Sequence, residues 1–387
     1  MSPRSRREYI DAIYVRYKRA SRKQKTDILN EFCLNCGYHR KHGIRVLNNF
    51  KRFTQPKPKK RGKPSVYAKD AVVEPLKRIW LAANLPCSKR LKVILPLWLP
   101  SYHKNFDELP LDVVRALLKI SPSTIDRILE PTRVKYKRRG RATTKPGTLL
   151  RKKIPIKTNQ WDETQPGFLE ADTVAHCGDS LLGMFTYTVD FVDIASTWTE
   201  QRAVWGKGEH GVLKQINDVE NSIPFPLLGF DSDNGSEFLN HHLFRHFTRR
   251  KQPIQFTRSR PYRKDDNSHI EQKNWTHVRQ WFGYDRLDNP AVVRLMNQLY
   301  KSDWRLYHNF FCPSVKLISK KLVASKTIKA YDAPKTPYQR LLDSKDIPQS
   351  VKQDLQQQFE QLDPFKLRKN IEKKLKKIFK ISVKETS

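Results

Sequence analysis

The first 50 residues carry apolar side chains at helical spacing. Ile10, Ile13 and Tyr17 recur every three to four positions, which predicts an amphipathic helix. Ser21, followed three residues later by Gln24, has the pattern of a capping box and predicts that a second helix begins there. Two consecutive helices are therefore expected before the first glycine of the chain.

A glycine and a short basic helix follow. Gly37 interrupts the helical pattern, and residues 38–47 then combine one apolar side with a strongly basic one. Helix, glycine-containing turn and basic helix is the order found in helix-turn-helix DNA-binding motifs. Residues 1–50 are therefore predicted to form a helix-turn-helix domain. The residues of its third helix that we expect to contact DNA are His39, Arg40, Lys41 and Arg45.

A second helical region is predicted over residues 65–132, after a linker of residues 51–64 that is rich in proline and lysine. Apolar residues recur at helical spacing through most of it, and Ser121 followed by Pro122 has the N-cap and first-turn pattern of a further helix. This region resembles a second helix-turn-helix, with an ordinary helical packing domain as the alternative. On the first interpretation Arg127 contacts DNA.

From about residue 161 the helical spacing gives way to short runs of β-branched and aromatic residues. Three such runs between positions 167 and 205, bounded by turn residues, predict three consecutive strands in a meander. A helix, a strand, a helix, a strand and a long helix from about residue 266 are expected next. This order predicts an α/β domain over residues 161–305, preceded by all-α regions.

The charge of the chain predicts its partner. The 387 residues include 75 Lys and Arg against 39 Asp and Glu, a formal charge of +36. Such a surplus repels itself in a compact protein unless a polyanion neutralises it, and double-stranded DNA is the predicted polyanion. The linker of residues 133–160 is basic, and its Arg138, Arg139 and Arg141 are predicted to lie along phosphates. A basic linker that is merely solvated is the alternative.

Composition also excludes several classes of protein. No run of 18 apolar residues occurs, which argues against an integral membrane protein, and the basic runs lack apolar residues that would insert into a membrane surface. The amino terminus has no apolar export signal, and five cysteines do not suggest a disulfide framework. We therefore expect a cytoplasmic protein that associates with the nucleoid when it is bound to DNA.

Cys33, Cys36, His39 and His42 have a spacing that suggests zinc binding. A zinc finger separates its Cys pair from its His pair by about a dozen residues, so that a hairpin and a helix enclose the metal. Only two residues separate Cys36 from His39. We therefore predict a helix-turn-helix, not a zinc site, at this position.

Three acidic residues lie where the predicted α/β order can bring them together. Asp172 is inside the first strand, Asp233 directly follows the fourth strand, and Glu271 is in the first turns of the long helix. Phosphodiester chemistry needs charge neutralisation at the phosphate and an activated oxygen nucleophile, and two divalent ions supply both. Mg²⁺ prefers carboxylate oxygens and retained waters. Two Mg²⁺ or Mn²⁺ ions are therefore the predicted cofactor.

The sequence around these acids resembles a known family. Residues 170–174, 231–238 and 270–274 read EADTV, DSDNGSEF and IEQKN, and the third acid follows the second by 38 positions. These segments resemble the DDE core of the retroviral-integrase superfamily, and in detail a bacterial insertion-sequence transposase with an integrase-type catalytic domain. The resemblance implies an RNase H-like fold for the α/β domain.

The resemblance also implies roles for individual residues. Asp172 is expected to contact both metal ions, while Asp233 and Glu271 each complete one. Motif positions next to these acids are expected to support the site. They are occupied by Asn234, Gly235 and Asn274. The amino-terminal His/Cys zinc module of retroviral integrases has no counterpart with its spacing, so DNA-end binding is expected from the helical regions.

Other acids near the motif compete with the predicted three. Glu170 and Asp231 lie two positions before the first and second acids, and strand alternation points them the same way. Neither is predicted to be one of the three metal ligands, and Asp231 is expected to support the site or to hydrogen-bond a neighbouring backbone group. Asp190 and Asp193 are assigned to a hairpin turn at the end of the second strand.

The function that these features predict is that of a DNA transposase. It nicks element ends by hydrolysis and joins the freed 3′ hydroxyl to target DNA, and the resemblance implies a homo-oligomer on paired ends. Two other classes stay open: a sequence-specific DNA-binding regulator with an inactive core, and a nuclease with an RNase H-like core. The intact acid set counts against the regulator, and two helix-turn-helix candidates count against the nuclease. Residues 306–387, a basic C-terminal region, carry no interpretable motif.

Overall fold

The computed structural model describes residues 1–50, 66–136, 163–233, 235, 237–258, 268–323 and 326–383. The predicted DNA contacts Arg138, Arg139 and Arg141 and the predicted supporting residue Asn234 lie outside these ranges. The chain divides into two compact units, Met1–Pro64 and Ser65–Ser387. No helix within the described ranges is long and apolar enough to cross a membrane.

The described part of the first unit, residues 1–50, is helical, as the apolar spacing predicted. The capping box at the start of its second helix is present, because Ser21 Oγ accepts the Gln24 N–H and Gln24 Oε1 accepts the Ser21 N–H at 2.9 Å. Cys36 is buried as the last residue of that helix, and Gly37 ends it with φ +66°. The helix-turn-helix interpretation of this unit stays a prediction. The helices are α1 (Pro3–Arg19), α2 (Arg22–Cys36) and α3 (Arg40–Asn49).

The second unit begins with four helices. Ser121 caps the last of them as predicted, since its Oγ accepts the Thr124 N–H at 3.2 Å. Their apolar sides are buried around Leu91, Trp98 and Leu117. The helices are α4 (Asp70–Ala82), α5 (Ser88–Asn105), α6 (Leu111–Lys119) and α7 (Pro122–Arg133), with 3₁₀ turns at Val66–Ala68 and Val134–Tyr136.

A five-stranded mixed sheet follows, and it has the predicted sequence of elements. Its strand order is β3-β2-β1-β4-β5. The meander pairs are antiparallel, whereas β4 is parallel to both β1 and β5. This arrangement fits an RNase H-like integrase core. The elements are β1 (Phe168–Ala175), β2 (Thr186–Asp193), β3 (Thr199–Trp205), α8 (Glu209–Glu220), β4 (Gly229–Ser232), α9 (His241–Thr248) and β5 (Gln255–Arg258).

Helices after the sheet complete the second unit. Residues from the helical region, the α/β part and the C-terminal region, such as Trp98, Trp304 and Ile378, lie in one hydrophobic core. The elements are α10 (Ser268–Lys273), a π-helical segment Asn274–Arg279, α11 (Gln280–Phe282), α12 (Pro290–Leu299), a π-helical segment Tyr300–Trp304, α13 (Arg305–Phe311), the hairpin β6 (Leu317–Val323) and β7 (Lys326–Tyr331), α14 (Pro337–Asp343), α15 (Gln349–Glu360) and α16 (Pro364–Val383).

Candidate active site

Asp172 and Asp233 occupy neighbouring positions at one place in the sheet. Ala171 of β1 pairs in parallel register with Ser232, the last residue of β4. Asp172 follows Ala171 in β1, and Asp233 directly follows Ser232 at the end of β4. Because adjacent strands lie only about 4.8 Å apart, the fold brings these two acids side by side.

Hydrogen bonds hold both oxygens of the Asp172 carboxylate. Oδ1 accepts the Thr173 N–H at 2.7 Å, and Oδ2 accepts Nδ2 of Asn274 at 2.6 Å. The second bond links the strand to the π-helical segment that continues α10. The other amide oxygen, Asn274 Oδ1, is buried and has no hydrogen-bond partner among the described residues.

A tight backbone turn holds Asp233. Its Oδ1 accepts the Gly235 N–H at 2.9 Å. A Cβ atom at Gly235 would lie 2.8 Å from Oε2 of Glu237 and 2.9 Å from Oδ1 of Asp233. A side chain at this position would therefore have to displace one of the two carboxylates, which crowd the turn on the side where it would project.

The surroundings of both aspartates disfavour their ionised forms. Burial, and then the negative charge of Asp233, raise the pKa of Asp172 to about 8 against its two hydrogen bonds. Burial also raises the pKa of Asp233 to about 6, with a contribution from the charge of Glu237. A cation beside the pair would reverse this effect, because an opposite charge favours the ionised carboxylate.

Glu271, the third predicted acid, stands apart from this pair. It is exposed on α10, three residues before Asn274. Residues three apart are neighbours on a helix surface, so Glu271 is close to the residue that contacts Asp172. Within the described ranges, however, no three His, Cys, Asp or Glu side chains lie close enough to hold a metal ion. The structure thus brings two of the three predicted acids together.

The residues that are brought together fit a hard divalent cation. Asp172 and Asp233 provide carboxylate oxygens, and Asn274 Oδ1 is a buried amide oxygen with no described partner beside them. Mg²⁺ and Ca²⁺ bind oxygen donors of these kinds.

The two competing acids are engaged inside the fold. Glu170 is buried, and its Oε2 accepts the Ile270 N–H at 3.1 Å, which fixes the start of α10 against β1. Asp231 is buried within β4, and its Oδ1 accepts the hydroxyl of Thr257 on β5. Each of these carboxylates therefore joins neighbouring elements.

The predicted DNA contacts that the structure describes are all exposed. His39 is the N-cap residue of α3, and Arg40, Lys41 and Arg45 lie on that helix. Arg127 lies on α7, where its Nη2 donates to the Thr124 hydroxyl at 3.2 Å. Their exposure leaves them accessible to a polyanion, and their contact with DNA stays a prediction.

The chain has a relative that matches along almost its whole length. It is 36% identical over 342 residues to the "Uncharacterized protein y4rM" of Sinorhizobium fredii (strain NBRC 101917 / NGR234). The match covers 88% of this chain and 96% of that protein. The chain belongs to the y4rM family.

Comparisons with family models and with solved structures do not extend this family assignment. No family model matches the chain. Among solved structures, the chain is similar to the catalytic core domain of BIV integrase, with 14% identity and a TM-score of 0.29. That overlap covers 46% of this chain and 95% of the integrase chain. The RNase H-like interpretation rests on the strand order and directions of the sheet, not on this overlap.

The assignment of Asp190 to a hairpin turn is wrong. Asp190 lies within β2, fully buried, and pairs directly with Asp172 across the two strands. Its Oδ1 accepts Nε2 of Gln201 at 2.7 Å, and burial raises its pKa to about 7. Asp193 does stabilise the turn, because its Oδ2 accepts the Ser196 N–H at 2.7 Å. The alternation of Thr188 and Asp190 on one face of the strand was the sequence signal that the strand continues through Asp190.

Glu237 is a site residue that the sequence analysis missed. It is 3% exposed, and its Oε1 accepts the hydroxyl of Thr173 at 2.9 Å. Its Oε2 lies 3.5 Å from Nζ of Lys207. Glu237 thereby ties the turn after Asp233 to the residue next to Asp172. Its position inside the motif segment was a signal, but an acid in a polar loop is usually solvated.

Proposed function

We propose that this chain is a DNA transposase with an integrase-type catalytic core. It hydrolyses a phosphodiester at each element end and then joins the freed 3′ hydroxyl to target DNA. The observation that carries the proposal is the side-by-side placement of Asp172 and Asp233, where the charge of one opposes ionisation of the other. Perturbed carboxylate pairs of this kind are typical of functional sites.

We assign metal binding to Asp172, Asp233 and Glu271. When bound, two Mg²⁺ or Mn²⁺ ions lower the pKa of a water and neutralise charge at the scissile phosphate. The chain itself orients the ligands, because Asn274 fixes one oxygen of Asp172 and Gly235 fixes one oxygen of Asp233. Outer hydrogen bonds of this kind commonly set the orientation of metal ligands.

Lys207 places a positive charge next to the acids. It lowers the pKa of Asp233, and its side chain is 45% exposed while its Nζ stays 3.5 Å from Glu237 Oε2. A partly exposed ammonium at this position is available to a DNA phosphate. We therefore assign to Lys207 the placement of the DNA strand over the acids.

The DNA substrate is held outside the acid site as well. The net charge of +36 comes from basic residues throughout the chain, most of which lie outside the acid site. We assign DNA binding to the exposed basic side chains of α3 and to Arg127, with both element ends and target DNA as ligands. Assembly as a homo-oligomer on paired ends is part of the proposal, since two ends must be joined in one reaction.

A sequence-specific DNA-binding regulator is the second candidate. The exposed position of Glu271, outside the carboxylate pair, is the observation that favours it. A regulator of this kind binds the same DNA but does not cleave it. Binding assays alone do not separate the two candidates, and cleavage assays do.

The test uses duplex oligonucleotides that carry the terminal repeats flanking the gene. With Mg²⁺ present, the wild-type protein is expected to cleave the 3′ ends and to join them to a second duplex. Asp172→Asn, Asp233→Asn and Glu271→Gln are each expected to bind the repeats and to do neither reaction. Asp179→Asn removes an exposed acid outside the site and is the control. Specific binding without cleavage by the wild type favours the regulator.

A further inference from the structure

A cavity of about 340 Å³ lies on another side of the helix that carries Glu271. Lys273 and His277 from this helix line it, together with Arg90 from α5 and residues at the end of α13. Its volume is at the lower end of the ~300 to 1,000 Å³ typical of small-molecule sites. All of its lining residues belong to the unit Ser65–Ser387.

Two cationic side chains in this cavity form no salt bridge with any residue that the structure describes. Lys273 is 5% exposed and makes no hydrogen bond or salt bridge to any residue that the structure describes. Arg90 is half-buried, likewise makes none within those ranges, and its charge repels that of Lys273. The lining described for the cavity includes no Asp or Glu. An unpaired buried ammonium is costly, so a bound anion would stabilise this arrangement.

Asp190 is the acid whose charge acts on Lys273, but the two side chains are not in direct contact as a salt bridge. Asp190 Oδ1 is instead occupied by Gln201 Nε2 at 2.7 Å. Asp190 Oδ2 has no hydrogen-bond partner among the described residues, so neither oxygen of this carboxylate is bonded to Lys273, which also lines the cavity.

The rest of the lining offers flat and apolar surface. His277 and His308 stack with their ring centroids 4.0 Å apart, and neither ring nitrogen of His308 has a hydrogen-bond partner among the described residues. Ile94 and Phe311 add apolar wall. Although cysteines also line the cavity, they and the histidines form no metal-binding group within the described ranges.

We propose that this cavity binds a phosphate monoester of the size of a single nucleotide. Arg90 pairs with the phosphate through two N–H donors, and Lys273 supplies a point charge to it. The planar histidines and the apolar wall accommodate the remainder of the ligand. Two sources provide this chemistry, a free nucleoside monophosphate and the 5′-phosphorylated end of a DNA strand.

The test is isothermal titration calorimetry of the full-length protein with adenosine 5′-monophosphate at physiological salt. We expect saturable binding of one molecule per chain. Lys273→Met and Arg90→Gln should each weaken binding at least tenfold, whereas Lys89→Met, an exposed lysine one residue earlier on α5, should leave it unchanged. Absence of binding, or equal binding by all four proteins, would overturn the proposal.

Melting temperatures distinguish a variant that has lost the binding site from one that no longer folds. Lys273→Met should melt no lower than the wild type without ligand, because it removes an unpaired buried charge and keeps most of the side-chain volume. If that variant does not fold, Arg90→Gln decides the matter, since Arg90 is only half-buried.

Displacement of a fluorescent nucleotide monophosphate distinguishes the two sources. Displacement by a 5′-phosphorylated single strand, but not by its 5′-hydroxyl counterpart, identifies DNA ends as the ligand. Displacement by neither strand identifies a free nucleotide. Equal displacement by both strands would contradict the proposal, because the probe would then lie on a general DNA-binding surface.

Discussion

Replacement of Asp172 by Asn should stabilise the protein in the absence of metal. The carboxylate is ionised in the unfolded chain at neutral pH, but in the folded protein burial and Asp233 raise its pKa from 3.8 to about 8. Folding therefore costs free energy wherever the unfolded chain has lost this proton and the folded chain retains it. An amide of the same shape does not titrate and avoids that cost.

The hydrogen bonds around residue 172 can adapt to an amide. Asn274 now donates Nδ2 to Asp172 Oδ2, while its own Oδ1 has no partner among the described residues. Rotation of the Asn274 amide by half a turn would let its Oδ1 accept a hydrogen bond from the side-chain NH₂ group that Asp172→Asn introduces. The substitution should therefore leave no additional buried group without a partner.

The size and the sign of the effect follow from the raised pKa. The rise of the Asp172 pKa from 3.8 to about 8 sets a ceiling of about 6 kcal/mol, because a tenfold change in a protonation equilibrium corresponds to about 1.4 kcal/mol. Asp172 retains some solvent contact, and we expect about 1 to 3 kcal/mol. This cost is absent from the wild type below the unfolded pKa of about 4. It grows as the pH rises, and it reaches its full size at about pH 8.

Tryptophan fluorescence during urea unfolding is a suitable assay, because all eight tryptophans lie in the unit Ser65–Ser387. In EDTA, Asp172→Asn should exceed the wild type in stability at about pH 8 and match it near pH 4. Mn²⁺ should stabilise the wild type at about pH 8 by mass action and leave the variant unchanged. Equal stability of the two proteins at both pH values would refute the reasoning, and Asp179→Asn serves as the control.

Three further substitutions test individual residues. Asp231→Asn should keep measurable single-turnover cleavage while Asp233→Asn keeps none, since Asp231 bonds Thr257 inside the sheet; the reverse order would move the second acid by two positions. Gly235→Ala should abolish cleavage but not DNA binding, because its Cβ would displace the crowded carboxylates; normal cleavage would contradict this. Arg40→Ala should weaken binding to element ends by about 1 to 3 kcal/mol if it contacts a base, as measured by fluorescence anisotropy; unchanged binding would remove it from the DNA interface.

The elements of the sheet were predictable because their signals are local. β-branched runs between turn residues identified the strands, and Ser21 with Gln24 identified a helix start. The placement of Asp172 in β1 and Asp233 after β4 followed from the same strand boundaries. Local patterns were sufficient here because each depends on residues within a few positions of one another.

The features of the site that could not be predicted depend on contacts between distant segments of the chain. Glu237 is buried where it accepts a hydrogen bond from Thr173, 64 positions away along the chain. Asp190 faces Asp172 because of the register between β1 and β2, which the sequence of one strand does not encode by itself. The exposed position of Glu271 likewise depends on how α10 meets the sheet, where Glu170 accepts the Ile270 N–H.

Anomalous diffraction from crystals of the full-length protein with element-end DNA and Mn²⁺ tests the central claim most directly. The claim is that Asp172, Asp233 and Glu271 form one metal site that acts on DNA. It predicts two manganese peaks next to Asp172, one also bound by Asp233 and the other by Glu271. Peaks bound by other side chains, or no peak at Asp172 with the DNA in place, would contradict it.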